Sequence, residues 1–336
     1  MSDESSLIQL SHGSGGRVMH RLISEWFAPA FSLRSLNDSA VVPGLQDRRL
    51  AITTDSYVVT PSVFPGGDIG VLAVCGTVND LAMSGARPLY LTAGFILEEG
   101  FPLEDLKAVL ASMKKTAEEA DVQVVAGDTK VVERGKGDGI YINTAGIGVL
   151  EHDLDLDPSK IRTGDSIILS GPVGSHGMAV MAKRSGITFD PPLLSDVRPL
   201  NRLVARILES SEHVRVMRDP TRGGLATTLK EFATASGLAM SVEESVIRVK
   251  REVAGACSLL GLDPLFVANE GVLVAVVAPQ DAETVVSAMR TDEYGSEAAI
   301  IGTVLDGPKQ QVLLKTSAGG IRIVDMISGE QLPRIC

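Results

Sequence analysis

Cysteine is scarce in this chain of 336 residues, and its three copies, Cys75, Cys257 and Cys336, stand in no Cys-x-x-Cys or Cys/His spacing. Neither a disulfide scaffold nor a structural zinc site is indicated. Positive charge is short as well: a formal net charge of −11 argues against nucleic acid as the main partner. No apolar run approaches the length that spans a bilayer, so no membrane partner is expected. The polar, acidic start Met1-Ser2-Asp3-Glu4 is unlike a signal peptide, which points to a soluble, cytoplasmic protein. Tryptophan occurs once and aromatics make up only 4%, so Ala, Val, Leu, Ile and Gly dominate the composition. That palette suits closely packed α/β layers, and the length suggests two domains. The acidity leaves a nucleotide ligand open, because a divalent cation bridges carboxylates to phosphates.

Strand and helix signals alternate through the first half. Residues 50–54 read as a strand ending at Asp55, 70–84 as a helix carrying Asn79 and Asp80, and 87–97 as a strand. The clearest helix is 102–120, where Leu103, Leu106, Leu110, Met113 and Ala117 recur at helical intervals behind Pro102. Strands at 122–132 and 140–150 follow. A polar stretch over 153–163 then sets a boundary, giving an N-terminal domain 1–155, a C-terminal domain 156–328 and a mobile tail 329–336. The second half begins with a strand at 166–170 and the turn Gly171-Pro172-Val173-Gly174. Helices follow at 175–184, 196–209 and 222–236. A strand at 271–278, a helix at 280–290 and strands at 299–305, 311–314 and 321–324 complete it. Alternating elements imply sheet-and-helix layers, an α/β class. Cys75 and Cys257 lie in apolar, helix-like stretches and read as small core residues.

The third cysteine is different. Cys336 ends a tail reading Leu332-Pro333-Arg334-Ile335-Cys336, where packing on all sides is not expected but a travelling thiol is well placed. Arg334, two residues away, is expected to favour its thiolate, with the adjacent terminal carboxylate opposing. Near the start, His12-Gly13-Ser14-Gly15-Gly16 can present successive backbone N–H groups to phosphate ahead of a helix near Arg17. A flexible linker explains the same glycines. Asp38, Asp55, Asp80 and Asp128 each stand among small or apolar residues at the end of an element. A single such aspartate is usually a helix cap; four in one domain point to convergence on Mg²⁺. Lys130 falls on the same side of its strand as Asp128, either facing a transferring phosphate or forming an ordinary salt bridge. Asp219-Pro220-Thr221-Arg222-Gly223-Gly224 reads as a strand-to-helix turn able to hold an anion. Glu270, before an apolar strand, is a candidate general base, against the commoner reading of a surface turn.

Taken in order, Asn37-Asp38-Ser39-Ala40, Thr53-Thr54-Asp55, Gly76-Thr77-Val78-Asn79-Asp80, Gly127-Asp128-Thr129 and Asp219-Pro220-Thr221-Arg222-Gly223-Gly224 resemble the motifs of the aminoimidazole ribonucleotide synthetase (PurM-like) superfamily. The glycine loop and the closing Pro333-Arg334-Ile335-Cys336 resemble its HypE family of hydrogenase maturation factors. The resemblance implies a PurM-like two-domain architecture whose N-terminal domains pair into a β-barrel-like homodimer core, with ATP bound between subunits. It also implies that a carbamoyltransferase, HypF, loads the terminal cysteine. ATP then drives dehydration of the thiocarboxamide to a thiocyanate, and the nitrile passes to a HypC–HypD complex as the cyanide of a [NiFe] hydrogenase iron. On that reading Cys336 is the carrier, Lys130 stabilises the transferring phosphoryl group and Glu270 is the base. Gly13, Ser14, Gly15, Gly16, Asn79, Asp128 and Arg222 contact the nucleotide. Asp38, Asp55, Asp80, Asp128 and Asp219 hold Mg²⁺. A selenophosphate synthetase usually shows a reactive cysteine near the glycine loop, where this chain has none before Cys75. A thiamine-monophosphate kinase gives no role to Cys336. A non-catalytic thiol carrier with a nucleotide switch is the alternative of a different class.

Overall fold

The computed structural model describes residues 16–22, 24–25, 40–43, 48–326, 332 and 334–336. The first domain is a five-stranded sheet built from β1 (Ala40–Pro43), β2 (Arg49–Tyr57), β5 (Arg87–Glu98), β6 (Gln123–Val132) and β7 (Ile140–Leu150), with a small ribbon of β3 (Val63–Phe64) and β4 (Gly67–Asp68) beside it. The sheet order is β1-β2-β7-β5-β6, antiparallel except for the β5–β6 pair. That parallel pair is joined by the Leu103–Glu119 helix, the crossover that parallel strands require. Among the described residues the sheet is open, with β1 and β6 as its edges, so no barrel closes within one chain.

One face of this sheet is covered by the Ile69–Met83 helix, which is buried almost all round. Asp68 caps its start, accepting the Gly70 and Val71 amides at 2.7 and 2.9 Å. Small residues bring the layers together. A Cβ on Gly146 would lie 2.7 Å from the Thr77 side chain, and one on Gly76 2.3 Å from the Tyr57 hydroxyl. The Leu103–Glu119 helix packs through Val109, Met113, Thr116 and Ala117. Of the expected face, Met113 and Ala117 are buried and Leu106 packs against the core, while Leu103 and Leu110 are exposed at 73% and 45%. Val109 and Thr116 are buried instead of Leu103 and Leu110, since three- and four-residue spacing allows either pair beside Met113 and Ala117 and packing on the helix below selects between them.

The second domain holds β8 (Ser166–Leu169), β9 (Val214–Arg218), β10 (Ala239–Glu243), β11 (Val274–Val277), β12 (Ala299–Leu305), β13 (Val312–Lys315) and β14 (Ile321–Val324). They form one sheet in the order β14-β13-β10-β12-β8-β11-β9, parallel only between β10 and β13. Helices Ser175–Arg184, Asn201–Ser210, Gly224–Ser236, Arg251–Leu260 and Ala282–Met289 complete it. The expected helix at 196–209 begins only at Asn201, because Asp196 and Arg198 are engaged in the loop before it. No helix among the described residues is long and apolar enough to cross a membrane.

Candidate active site

Two loops of the second domain set the chemistry. Asn269-Glu270-Gly271 is no surface turn: Asn269 is fully buried and Glu270 is 2% exposed. Asn269 ties the loop down, its Nδ2 donating to the Pro220 and Val267 carbonyls at 2.8 and 3.1 Å while its Oδ1 accepts the Gly174 amide at 2.6 Å. Asp196 Oδ2 accepts the Glu270 and Gly271 amides at 3.1 and 2.9 Å. Among the described residues, Glu270 Oε1 has no hydrogen-bond partner. Burial pushes the Glu270 carboxyl well above the usual carboxylate range, and the charges of Asp219, Asp196 and Asp55 push the same way, with Arg222 opposing. Once ionised, such a carboxyl is a stronger base than an ordinary glutamate. Asp219 lies just beyond β9, buried at 5% exposure, and Arg222 follows before the Gly224–Ser236 helix.

The tail runs into this site. The Val58 amide donates to the Cys336 carbonyl at 3.2 Å and the Thr60 amide to the Arg334 carbonyl at 3.3 Å. Ile335 is buried at 3% exposure in the first-domain core, with Leu332 and Cys336 packed against the same cluster. Burial pushes the Cys336 thiol up to about 12; Arg222 pulls it down, while Glu270 and Asp55 add to the rise. The expectation that Arg334 makes a thiolate is therefore corrected. Its guanidinium is taken up by Asp138 and by the Val58 carbonyl at 3.0 Å, and Arg222 is the cation whose charge acts on the thiol. Docking therefore favours the protonated thiol.

The first domain contributes the inner face of its sheet. Thr53, Asp55 and Tyr57 alternate onto that face of β2. Thr53 Oγ1 donates to Asp80 Oδ2 at 2.8 Å, and Tyr57, Thr77 and Thr144 form a hydroxyl chain with contacts of 3.4 and 2.5 Å. Burial raises the Asp55 carboxyl, with Arg222 the opposing charge.

Asp128 and Lys130 are placed elsewhere. In the sheet register Ser56, Asn143, Gly94 and Asp128 form one row, and Asp55, Thr144, Ala93 and Gly127 the next. Thr144 and Ala93 face the core, so Asp128 projects from the opposite, outer face. It lies three strands from β2, roughly 14 Å away at the usual strand spacing. Lys130 shares that face and pairs with Asp128, the salt-bridge alternative, with both side chains exposed. Within one chain the aspartates do not all converge. Among the described residues no three His, Cys, Asp or Glu groups are placed to hold a metal ion.

Asn79, expected at the nucleotide, is instead a strut between domains. Its Nδ2 donates to the Arg198 and Glu270 carbonyls at 3.1 and 3.4 Å, and its Oδ1 accepts the Leu200 amide at 2.7 Å. Gly16 is buried ahead of the Arg17–Leu22 helix. Gly13, Ser14, Gly15 and Asp38 lie outside the described residues. Sequence reasoning missed Asp196, His176 and Arg184, which hold the Glu270 loop and the tail. No motif or periodicity in the sequence marks them.

A buried carboxyl, a C-terminal thiol and a guanidinium gathered at a domain junction make a setting in which acid–base chemistry beside a sulfur is feasible. Comparison with known proteins defines the class first. The N-terminal domain of AIR synthase related protein matches residues 36–150, and its C-terminal domain matches 162–315. The sequence is 52% identical to the carbamoyl dehydratase HypE of Cupriavidus necator over 99% of this chain and 96% of that protein. The crystal structure of a HypE–HypF complex superposes with a TM-score of 0.86 at 48% identity, covering 91% of this chain and 99% of the other. A HypE structure in complex with ATP gives 0.84 at 46% identity, covering 98% and 100%. Within the AIR synthase related, two-domain α/β class, the chain belongs to the HypE family.

Proposed function

We propose that this protein is an ATP-dependent carbamoyl dehydratase that works on its own Cys336. The thiol is loaded as a thiocarboxamide by the carbamoyltransferase HypF. Transfer of the γ-phosphoryl group to the carbonyl oxygen makes that oxygen a leaving group. Two protons leave nitrogen, phosphate departs with the oxygen, and the C≡N bond of a thiocyanate forms. The products are ADP and inorganic phosphate, and the nitrile is handed to a HypC–HypD complex for the [NiFe] hydrogenase iron. The carrying observation is the tail docked on the first-domain core through Val58 and Ile335, which brings Cys336 within range of the charges of Arg222 and Glu270. Arg222 is suited to charge developing on the phosphorylated oxygen, and Glu270 to taking a proton from nitrogen. Burial of the site keeps competing water away from the activated intermediate.

ATP and Mg²⁺ are the cofactors on this reading. Asp55 and Asp80 fit Mg²⁺ in donor type, and a cation at Asp55 offsets the desolvation that raises its carboxyl. Asp38 and Asp219 are the further candidates. Asp128 and Lys130 reach a nucleotide only from the outer face of the sheet, where Ile52, Ile147 and Tyr90 form an exposed apolar row in one register. A second chain covering that face makes the homodimer core, with each outer face meeting the partner's nucleotide. The proposed setting is the cytoplasm.

Mass spectrometry of the C-terminal peptide tests the reading, after loading with HypF and carbamoyl phosphate, before and after Mg·ATP. A carbamoyl adduct on Cys336 that loses one water only with ATP is expected. An adduct unchanged by ATP would identify a passive carrier instead.

A further inference from the structure

Docking of the tail depends on a carbonyl group that the strand-like pairing does not serve. Val58 and Thr60 take the carbonyls of Cys336 and Arg334, so the carbonyl of Ile335 between them points the other way, into the second domain. Ile335 is 3% exposed, and a carbonyl left unpartnered there would be costly. His176 meets it. This histidine stands at the start of the Ser175–Arg184 helix, fully buried, with Nε2 2.9 Å from the Ile335 carbonyl.

Its surroundings select one form of the ring. A carbonyl only accepts, so Nε2 carries the hydrogen. Ser195 Oγ lies 2.8 Å from Nδ1 and itself accepts the Val197 amide at 3.0 Å, which leaves the hydroxyl hydrogen directed at Nδ1. Phe64 packs against the ring edge-to-face at 5.2 Å, removing rotational freedom. At the other end of the same helix, Arg184 Nη2 donates to the Arg334 carbonyl at 2.7 Å and to the Thr60 carbonyl at 2.5 Å. One helix thus grips two successive carbonyls of the tail, the second of them one residue from the thiol.

We propose that His176 is a positioning residue: as the Nε2–H tautomer it catches the Ile335 carbonyl and holds Cys336 in its docked position against the first domain. Its catalytic consequence rests on the dehydratase reading, but the docking itself does not. His176 touches neither the thiol nor the transferred group. Loading of an undocked tail is therefore independent of it, while the ATP-dependent step needs it.

The test compares His176→Leu with His176→Gln, whose amide nitrogen reaches about as far as Nε2 and still donates. Iodoacetamide labelling of Cys336 in the full protein, without ATP or carbamoyl donor, reads the undocked fraction. Loss of the one buried hydrogen bond should speed labelling about tenfold in the leucine variant, with the glutamine variant within about threefold of wild type. A folded leucine variant that labels at the wild-type rate overturns the proposal, as does a glutamine variant as fast as leucine. The wild-type protein gives a second test through ring-¹⁵N labelling of its five histidines. One neutral Nε2–H ring that changes when residues 335–336 are deleted is expected; an Nδ1–H or doubly protonated ring there overturns it. Because labelling needs no substrate, failure of the dehydratase reading leaves this result intact. The leucine variant should load at least as fast as wild type and, once loaded, dehydrate more slowly.

Discussion

Asp196 grips the backbone of Glu270: its Oδ2 accepts the Glu270 amide at 3.1 Å and the Gly271 amide at 2.9 Å. The contact fixes the loop while placing a second carboxylate close to the first. The same residue therefore orients the candidate base and raises its pKa, two effects that catalysis by a strong, immobile base requires. Arg222 answers the cluster from the thiol side and is itself raised, chiefly by Cys336.

Glu270→Gln removes the base but keeps the shape. Dehydration should fall by roughly 10²–10⁴-fold, the usual contribution of a positioned base, while carbamoyl loading persists. The fold should not suffer, because a buried carboxyl among Asp219, Asp196 and Asp55 is replaced by a neutral amide. Single-turnover dehydration and thermal unfolding check both halves; wild-type dehydration would remove Glu270 from the mechanism.

Gly271→Ala probes the loop beneath. A Cβ there would lie 1.8 Å from the Asp196 carbonyl oxygen, against backbone that cannot swing aside. A loss of about 1–3 kcal/mol is expected, the range for overpacking a close-packed interior, together with a drop in dehydration as Glu270 shifts. Urea unfolding with stability close to wild type would show that the loop yields.

The architecture was legible where periodicity was strong. Strands at 140–150 and 299–305 and the helix at 175–184 fall where the apolar pattern puts them, because alternation and the turn before Ser175 leave few other options. The Leu103–Glu119 helix shows the limit: its length was readable, but which apolar series faces the core depends on the helix below. The site was half legible. Glu270 and Arg222 stood out as charges in small-residue turns, and both lie at the thiol. Asp128 looked like a companion of Asp55, and only the sheet register shows them on opposite faces. The motif resemblance points to Asn79 as a nucleotide contact, whereas its side chain bonds the backbone of the other domain. Arg334 misled for a related reason. Nearness in sequence does not decide which cation reaches a sulfur once the tail has docked.

Thiol titration follows from the docked geometry. An undisturbed cysteine has a pKa of about 8.5, and burial raises that of Cys336 to about 12. Because the docked form favours the protonated thiol, docking is fully supported below the ordinary value and weakens as pH rises from there towards the raised one. Thiolate absorbance of wild type minus Cys336→Ala should show a midpoint well above about 8.5. A midpoint at or below that value would mean that the tail is not held as described.

Lys130 offers the sharpest test of the outer face. It shares that face with Asp128, while Asp55 and Tyr57 occupy the inner face, on the side of the thiol. If Lys130 serves a nucleotide it does so across the dimer, so its partner cysteine belongs to the other chain. Lys130→Ala and Cys336→Ala should each be inactive as homodimers. After dissociation and random reassociation, half of the dimers are mixed, and each mixed dimer pairs an intact Cys336 with an intact Lys130 at one of its two sites. Dehydration should therefore return to about a quarter of wild type. A mixture that stays inactive, with exchange confirmed by native mass spectrometry, would place Lys130 in the same chain's site, and an active Lys130→Ala homodimer would place it outside the reaction altogether.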